Sequence, residues 1–190
     1  LAAPARAPRR APAVAASASG VVLIAGGHAA QETAVELFFA SSQSTQGLPL
    51  GTGPDPRAGS AVVSLGSGRF ALLGGVDEAG QPLADGWLID AVAQTVKHVP
   101  QALKTARSGH QARRVGEQIV VVGGRDDKGL VGEAEVLSVT TLAAVSSTPL
   151  QAPREGHVLW PIAPKTLLVA GGVAASGAAT LLEVFQTDQR

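Results

Sequence analysis

The sequence predicts an all-β fold made of four copies of one unit, on three observations. Pairs of adjacent glycines recur along the chain at intervals of 48, 49 and 48 residues. The apolar runs beside these pairs are about five residues long and rich in Val, Leu and Ile, which is typical of buried strands rather than of helices. Short turn sequences such as RVGEQ at 114–118 separate the runs. The glycine pairs are Gly26-Gly27, Gly74-Gly75, Gly123-Gly124 and Gly171-Gly172.

Each unit is predicted to contain four strands. In the third unit we expect them at 110–115, 118–123, 133–139 and 142–147. Four antiparallel strands repeating at about 48 residues match one blade of a β-propeller, whereas the coils of a β-solenoid repeat at roughly half that length. The sequence therefore predicts a β-propeller.

The glycine pairs are expected at the end of the second strand of each blade. The backbone has to turn sharply there, close to a crowded axis. Glycine adopts a positive φ without strain, and it lets a neighbouring backbone approach where a Cβ would clash. We therefore assign the pairs a structural role.

Other residues keep step with the glycines. An arginine lies 16 or 17 residues before each pair, and in two units a histidine follows the arginine at the third position. An apolar segment with a glutamate follows the glycines in three units, whereas the second unit has Trp87 in the place of the glutamate. Because recurrence in every blade favours a structural bond over ligand binding, we expect framework arginines, and histidines packed and hydrogen-bonded between blades. These residues are Arg9, Arg57, Arg107, Arg154, His110, His157, Glu36, Glu135 and Glu183.

This pattern resembles the kelch-repeat family of β-propellers, which have an Arg, a Gly-His, an apolar strand, a diglycine, a variable loop, a Glu-bearing strand, an aromatic-Asp pair and a Trp. The Arg and the diglycine match in all four units, the Gly-His in two and the glutamate in three. The family's tyrosine is replaced by Phe38, Ile89, Leu137 and Phe185, the aspartate remains only as Asp90, and the fourth-strand tryptophan is missing. We therefore expect aliphatic packing between the blades.

The resemblance implies a rim that binds partner proteins or peptides. The loops after the diglycines, at 28–33, 76–85, 125–132 and 173–180, would form it together with the interblade loops at 48–55, 100–105 and 149–153. These segments differ most between the repeats, as recognition loops on a rigid scaffold do. The candidate rim residues are His28, Asp77, Glu78, Arg125, Asp126, Asp127 and Lys128.

The chain divides into a linker or closing outer strand at 1–8 and four repeats at 9–56, 57–106, 107–153 and 154–190, all in one propeller domain. The fourth repeat is expected to lack its outer strand. Three closures fit this division: residues 1–8 complete a four-bladed ring, two chains form one eight-bladed ring, or the chain is part of a larger propeller. Residues 1–8 are rich in proline, which cannot donate to a strand ladder, so any strand there would be short and at an edge.

Composition argues against several functions. The 15 basic and 15 acidic residues cancel, whereas nucleic acids and anionic membranes normally require a basic patch. No apolar run approaches the roughly 20 residues of a membrane helix. The chain has no Cys and no Tyr, so it lacks a disulfide framework, a thiolate metal site and the Cys-linked tyrosine of galactose-oxidase-type relatives.

No catalytic, cofactor or metal motif is present. HxH, HExxH, GxSxG and P-loop sequences do not occur. The adjacent Asp126 and Asp127 do not have the alternating oxygen ligands of a calcium loop, so we expect a solvated turn. An enzyme would need a carboxylate pair such as Asp77 and Asp126 to meet in the central channel. The expected protein is therefore not an enzyme and uses no cofactor.

Two binding functions are open at this point. One is a scaffold that recognises a protein or peptide through the rim. The other is an extracellular or cell-surface module that binds glycans, favoured by the Ala/Ser/Thr/Gly-rich composition and by an N-terminal segment that looks processed and lacks an initial methionine. Exposure of Trp87 or Trp160 at the rim would favour the glycan function. The same features favour a secreted, periplasmic or cell-surface location over the cytoplasm.

Overall fold

A computed structural model describes residues 9, 11–27, 35–47, 54 and 56–187. These residues form strands, turns and connecting segments, and they include no helix. Among them there is accordingly no helix that could cross a membrane. The predicted all-β class is confirmed.

The strands are grouped in four antiparallel sheets, which we call blades 1 to 4. Blade 1 contains β1 (Ala13–Ala16), β2 (Val21–Ala25), β3 (Val35–Phe39) and β4 (Ser44–Gly47). Blade 2 contains β5 (Ala61–Gly66), β6 (Arg69–Leu73), β7 (Gly86–Asp90) and β8 (Thr95–Val99). Blade 3 contains β9 (Gln111–Val115), β10 (Gln118–Val122), β11 (Glu133–Ser138) and β12 (Ala144–Pro149). Each pairs its strands in chain order.

Blade 4 has three strands in its described part, β13 (Val158–Ala163), β14 (Thr166–Ala170) and β17 (Glu183–Gln186). A separate two-stranded hairpin, β15 (Val173–Ala174) with β16 (Gly177–Ala178), lies in the loop between β14 and β17. The four blades are arranged as in a β-propeller, so the predicted architecture is confirmed.

The core lies between consecutive blades. We call the side of a blade that packs on the preceding blade its front face, and the side that packs on the following blade its back face. At the boundary of blades 1 and 2, the back-face residues Leu23 and Ala25 pack on the front-face residues Phe70 and Leu72. Two further clusters of this kind fill the other boundaries. They consist mostly of Leu, Val, Ile and Ala, as predicted.

The two glycines of each pair accommodate two different neighbours. All eight adopt a positive φ, as predicted. A Cβ on Gly123 would overlap the carbonyl oxygen of Arg154 in the next blade, whereas a Cβ on Gly124 would lie 2.6 Å from the carbonyl oxygen of Ser108 in its own blade. The first glycine therefore allows the backbone of the next blade to approach. The second allows the segment before the inner strand of its own blade to approach.

The series of blade contacts does not return to its beginning. Inner strand β1 packs on β5, β5 on β9, and β9 on β13. Among the described residues, the front face of blade 1 and the back face of blade 4 have no such neighbour. Val14 on the first is 55% exposed, and Trp160 on the second is 60% exposed. Both ends of the series therefore present apolar side chains to solvent.

Candidate binding face

The antiparallel topology places two kinds of connection on one side of the molecule, which we call the loop face. The loops after the diglycines and the segments that cross from one blade to the next both lie there. The tight turns between the first and second strands and between the third and fourth strands lie on the opposite side, the turn face. Most of the predicted rim residues are therefore on one face, and His28 lies outside the described residues.

Two of the predicted rim carboxylates hold their own loops in shape. The Asp77 carboxylate accepts a hydrogen bond from the Gln81 backbone N–H at 2.8 Å. The Asp126 carboxylate accepts bonds from the backbone N–H groups of Lys128 at 2.8 Å and Gly129 at 2.9 Å. Such bonds from an aspartate to a nearby backbone are typical of turns. The two side chains thus rigidify separate loops of blades 2 and 3.

Arg125 connects two blades across the loop face. Its guanidinium donates to both carboxylate oxygens of Glu155, at 3.0–3.2 Å. The Arg125 side chain is 50% exposed and that of Glu155 is 29% exposed. An ion pair in such contact with water contributes little to stability. Its main effect is to fix the position of two charged groups at the mouth of the propeller.

Three other predicted rim residues, Glu78, Asp127 and Lys128, have exposed side chains. In the described part of the chain, none of their side chains makes a hydrogen bond or an ion pair. The loops of blades 2 and 3 therefore combine carboxylates that stabilise a turn with charges that remain available to a partner.

The centre of the loop face consists mainly of backbone. Gly109 N donates to Gly59 O at 2.8 Å, and Gly156 N donates to Gly109 O at 3.1 Å, which links the inner edges of blades 2, 3 and 4. Beside them lies a cavity of about 270 Å³, lined by residues 11–14, 60–62 and 110–112. These segments are the starts of the inner strands. The charged side chains described above lie outside this cavity, on the surrounding rim.

Below the rim, each framework arginine binds a carboxylate in its own blade. Arg107 and Arg154 pair with Glu135 and Glu183, and these four side chains are almost completely buried. Arg9 pairs with Glu36 in the same manner at 3.0 Å. Each arginine also donates to the carbonyl oxygen of the first glycine of its blade.

The buried glutamates also hold the segments that enter their blades. Glu135 accepts the backbone N–H groups of Lys104 at 2.8 Å and Thr105 at 3.2 Å. Glu183 accepts those of Gln151 at 2.8 Å and Ala152 at 3.0 Å. A single carboxylate therefore joins the framework arginine to the crossover segment, which carries part of the loop face.

Blade 2 uses a different carboxylate, which was not evident from the sequence. Trp87 occupies the register position of the glutamate, opposite Leu72. Arg57 instead binds Asp85, two residues earlier, with contacts of 2.6 and 3.1 Å. Asp85 also accepts the Trp87 indole N–H at 3.0 Å and lies 3.0 Å from His98 Nε2, while the Trp87 and His98 rings stack.

The ionisation of Asp85 reflects this cluster. Burial, the largest single cause, raises the pKa of the Asp85 carboxyl, whereas the hydrogen bonds and charge of Arg57 lower it. His98 and Trp87 add smaller contributions in the same direction. The net pKa lies below the usual value, so the carboxylate stays ionised and serves the arginine as the glutamates do elsewhere.

The two repeat histidines are buried between blades, and the hydrogen bonds expected for their rings are not found among the described residues. Neither ring nitrogen of His110 or His157 has a hydrogen-bond partner among the described residues. The Cε1 atoms of these rings instead point toward Gly74 and Gly123 of the preceding blades. The rings fill the space that those glycines leave, so packing rather than hydrogen bonding fixes them.

Burial keeps both histidines neutral. It lowers the pKa of His110 to about 3, with further lowering by the charge of Arg107 and by repulsion from His157 once that ring is protonated. The Leu73 backbone offsets part of this shift without reaching hydrogen-bond geometry. Burial and the charge of Arg154 lower the pKa of His157 to about 4.

The two tryptophans do not form an aromatic platform on the rim. Trp87 is 9% exposed. Trp160 is 60% exposed, but it lies on the back face of blade 4, where the Arg113 guanidinium stands 5.8 Å from the ring centre. The condition set for the glycan function, an exposed tryptophan at the rim, is not met.

Within the described residues, no group of three or more His, Asp or Glu side chains is arranged to hold a metal ion. Asp77 and Asp126 bind their own separate turns, as described above. The comparison with known proteins adds no identification, since neither a protein-family model nor a curated protein sequence matches this chain.

Proposed function

We propose that the protein is a non-enzymatic scaffold that recognises a protein or peptide through the rim of its loop face. One observation carries this proposal: the framework repeats from blade to blade, while the loops above it do not. The glycines and arginines occupy equivalent positions in all four blades. The loops of blades 2 and 3 carry different charged residues on this common support.

The stiffness of the support favours binding without rearrangement. The crossover segments are held by buried carboxylates, and the turns of two loops are held by Asp77 and Asp126. A preorganised surface loses less conformational entropy when it binds. The mixture of Glu78, Asp127, Lys128 and the Arg125–Glu155 pair offers alternating charges, which favours a partner segment that itself carries both signs.

A kelch-type relationship is part of this proposal. The resemblance gains support from the way the matched residues work together, since three of the four framework arginines bind the glutamate of the third strand and all four bind the carbonyl oxygen of the first glycine. The extracellular glycan function is the weaker candidate, because a carbohydrate site usually has an aromatic platform and neither tryptophan lies exposed on the rim.

The test uses a phage-displayed library of random dodecapeptides selected on the immobilised protein. We expect peptides that bind the wild-type protein and lose at least tenfold in affinity for the Lys128→Glu variant. The matched control is Lys165→Glu, which makes the same exchange on the turn face. Peptides that ignore the first exchange, or a selection that enriches none, would contradict the proposal.

A further inference from the structure

The two uncovered faces of the series are the two halves of an interface that the molecule already forms three times. On the back-face side, the second-strand residues Ala71, Leu73, Val120 and Val122 are 0% exposed because the next blade covers them. Their equivalents in blade 4, Leu168 and Ala170, are only half-buried. Blade 4 therefore presents a back face of the usual kind without a front face against it.

The front face of blade 1 shows the converse. Its second-strand residues Val22 and Ile24 are half-buried. The equivalent residues of the other three blades are all 0% exposed: Phe70, Leu72, Ile119, Val121, Leu167 and Val169. The second strand of each uncovered face thus carries apolar residues at register positions that a neighbouring blade covers elsewhere in the molecule.

The glycine pair of blade 4 also lacks the neighbour that the other pairs have. A Cβ on Gly26, Gly74 or Gly123 would meet the arginine carbonyl of the next blade, whereas a Cβ on Gly171 would meet nothing within 4 Å. Gly75 N and Gly124 N donate to that arginine carbonyl at 2.9 and 2.8 Å. In the described chain Gly172 N donates to no backbone carbonyl. Blade 4 is thus built to receive an arginine segment from a following blade.

Four exposed apolar side chains mark the surface in question. They stand on β13, at the residue just before β17 and on β17 itself, and they are between 56% and 63% exposed. A patch of large apolar side chains is typical of an interaction site on a soluble protein. The residues are Val158, Trp160, Leu182 and Val184.

We propose that a second copy of this chain covers these faces, so that two chains form one eight-bladed ring. The back face of blade 4 in each chain would pack on the front face of blade 1 in the other. A head-to-tail contact of this kind closes into a ring or continues as a filament. Because propellers have about four to eight blades, two copies close within that range, and three copies would need twelve. This inference does not rest on the proposed rim function.

The first test is the mass in solution, measured by light scattering behind a sizing column at several concentrations. We expect a dimer of about 38 kDa, twice the chain mass of 19.0 kDa. The Val184→Asp variant places a charge on the uncovered face and should elute as a monomer with an unchanged far-ultraviolet spectrum. Val92→Asp, at another exposed valine in the β7–β8 turn, is the matched control and should remain a dimer.

A monomer at every concentration, a filament, or a dimer that survives Val184→Asp would overturn the proposal. The second test addresses orientation and uses the absence of native cysteines. Val14→Cys and Val158→Cys chains are prepared separately and then mixed under oxidising conditions. Head-to-tail packing predicts a disulfide-linked dimer in the mixture only. Linkage within either variant alone would indicate face-to-face pairing and contradict the ring.

Discussion

Blades 3 and 4 have equivalent back faces, but only that of blade 3 is covered by a following blade. Leu167 and Leu168 are adjacent on β14, yet the first is 0% exposed and the second stays half-buried, because only the first faces blade 3. Gly123 is crowded by Arg154, and Gly171 has open space in the same position. The apolar surface of a blade is therefore buried only where an adjacent blade packs on it.

This difference shows where the stability of the fold resides. In repeat architectures each unit contacts only its neighbours, and stability is close to a sum of unit and boundary contributions. Here the boundary contributions include the apolar clusters, the packed histidines and the backbone contact of each first glycine. Substitutions at a boundary should therefore cost far more than equivalent substitutions on an uncovered face.

The largest effect is expected for Arg154→Ala. Arg154 donates to Glu183 at 2.9 Å and to the carbonyl oxygens of Leu181 at 2.7 Å and Ala152 at 3.1 Å. Removing one partner of a buried pair leaves the other charge without compensation, so we expect a loss of about 4 kcal/mol in the free energy of unfolding. Urea denaturation measures it. Arg125→Ala, which breaks an exposed pair, should cause a much smaller loss, and equal losses would contradict the assignment of framework and rim.

The next largest effect concerns the first glycine of the pair in blade 3, compared with the first glycine of the pair in blade 4. Gly123→Ala combines a strained positive φ with an overlap on the Arg154 carbonyl, and we expect a loss of about 3 kcal/mol. Gly171→Ala has the same strain but free space, so about 1 kcal/mol is expected. Both are measured in the Val184→Asp background, in which the uncovered face should stay uncovered. Similar losses for the two variants would show that φ alone, and not the following blade, requires glycine.

The repeat explains why so much of this fold was predictable. Glycine pairs, arginines and short apolar runs recur in register, and the third-blade strands lie within about two residues of their expected bounds. A repeated pattern averages out local ambiguity, since each element is seen four times. The positive φ of the glycines followed from the same reasoning.

The features that sequence reasoning missed are those that depend on three-dimensional position. Asp85 replaces the glutamate from two residues earlier, and only the path of the chain into β7 brings it to Arg57. The missing hydrogen bonds of the histidines reflect their surroundings between blades, which the motif does not encode. The uncovered faces of blades 1 and 4 depend on how the blades pack together in space, so the blade count alone could not reveal them.

A smaller effect is expected from the leucines of β14. Leu167→Ala removes a buried side chain from the boundary cluster and should cost about 2–3 kcal/mol. Leu168→Ala, at the next residue on the uncovered face, should cost less than about 1 kcal/mol in the Val184→Asp background. Thermal and urea denaturation of the two variants compare identical chemical changes on opposite faces. Equal costs would show that the back face of blade 4 is packed in solution even in that background.

The smallest effect concerns the pH dependence of the histidine at the same boundary. The pKa of His157 falls from 6.5 to about 4 on folding, so the unfolded chain binds more protons between these values. Stability is therefore complete above pH 6.5 and decreases as the pH falls toward the folded pKa. Between pH 6.5 and 5 we expect His157 to account for a loss of about 1–2 kcal/mol.

The variant His157→Ser isolates this contribution, because Ser60 occupies the equivalent position in blade 2. Its free energy of unfolding should be lower at neutral pH, since a packed ring is removed, but it should decline less steeply between pH 6.5 and 5. His110 titrates in the same direction, with a folded pKa of about 3, so the double variant should be flatter still. A slope that does not change in either variant would mean that water reaches these rings, and the boundaries would then be less tightly closed than their packing indicates.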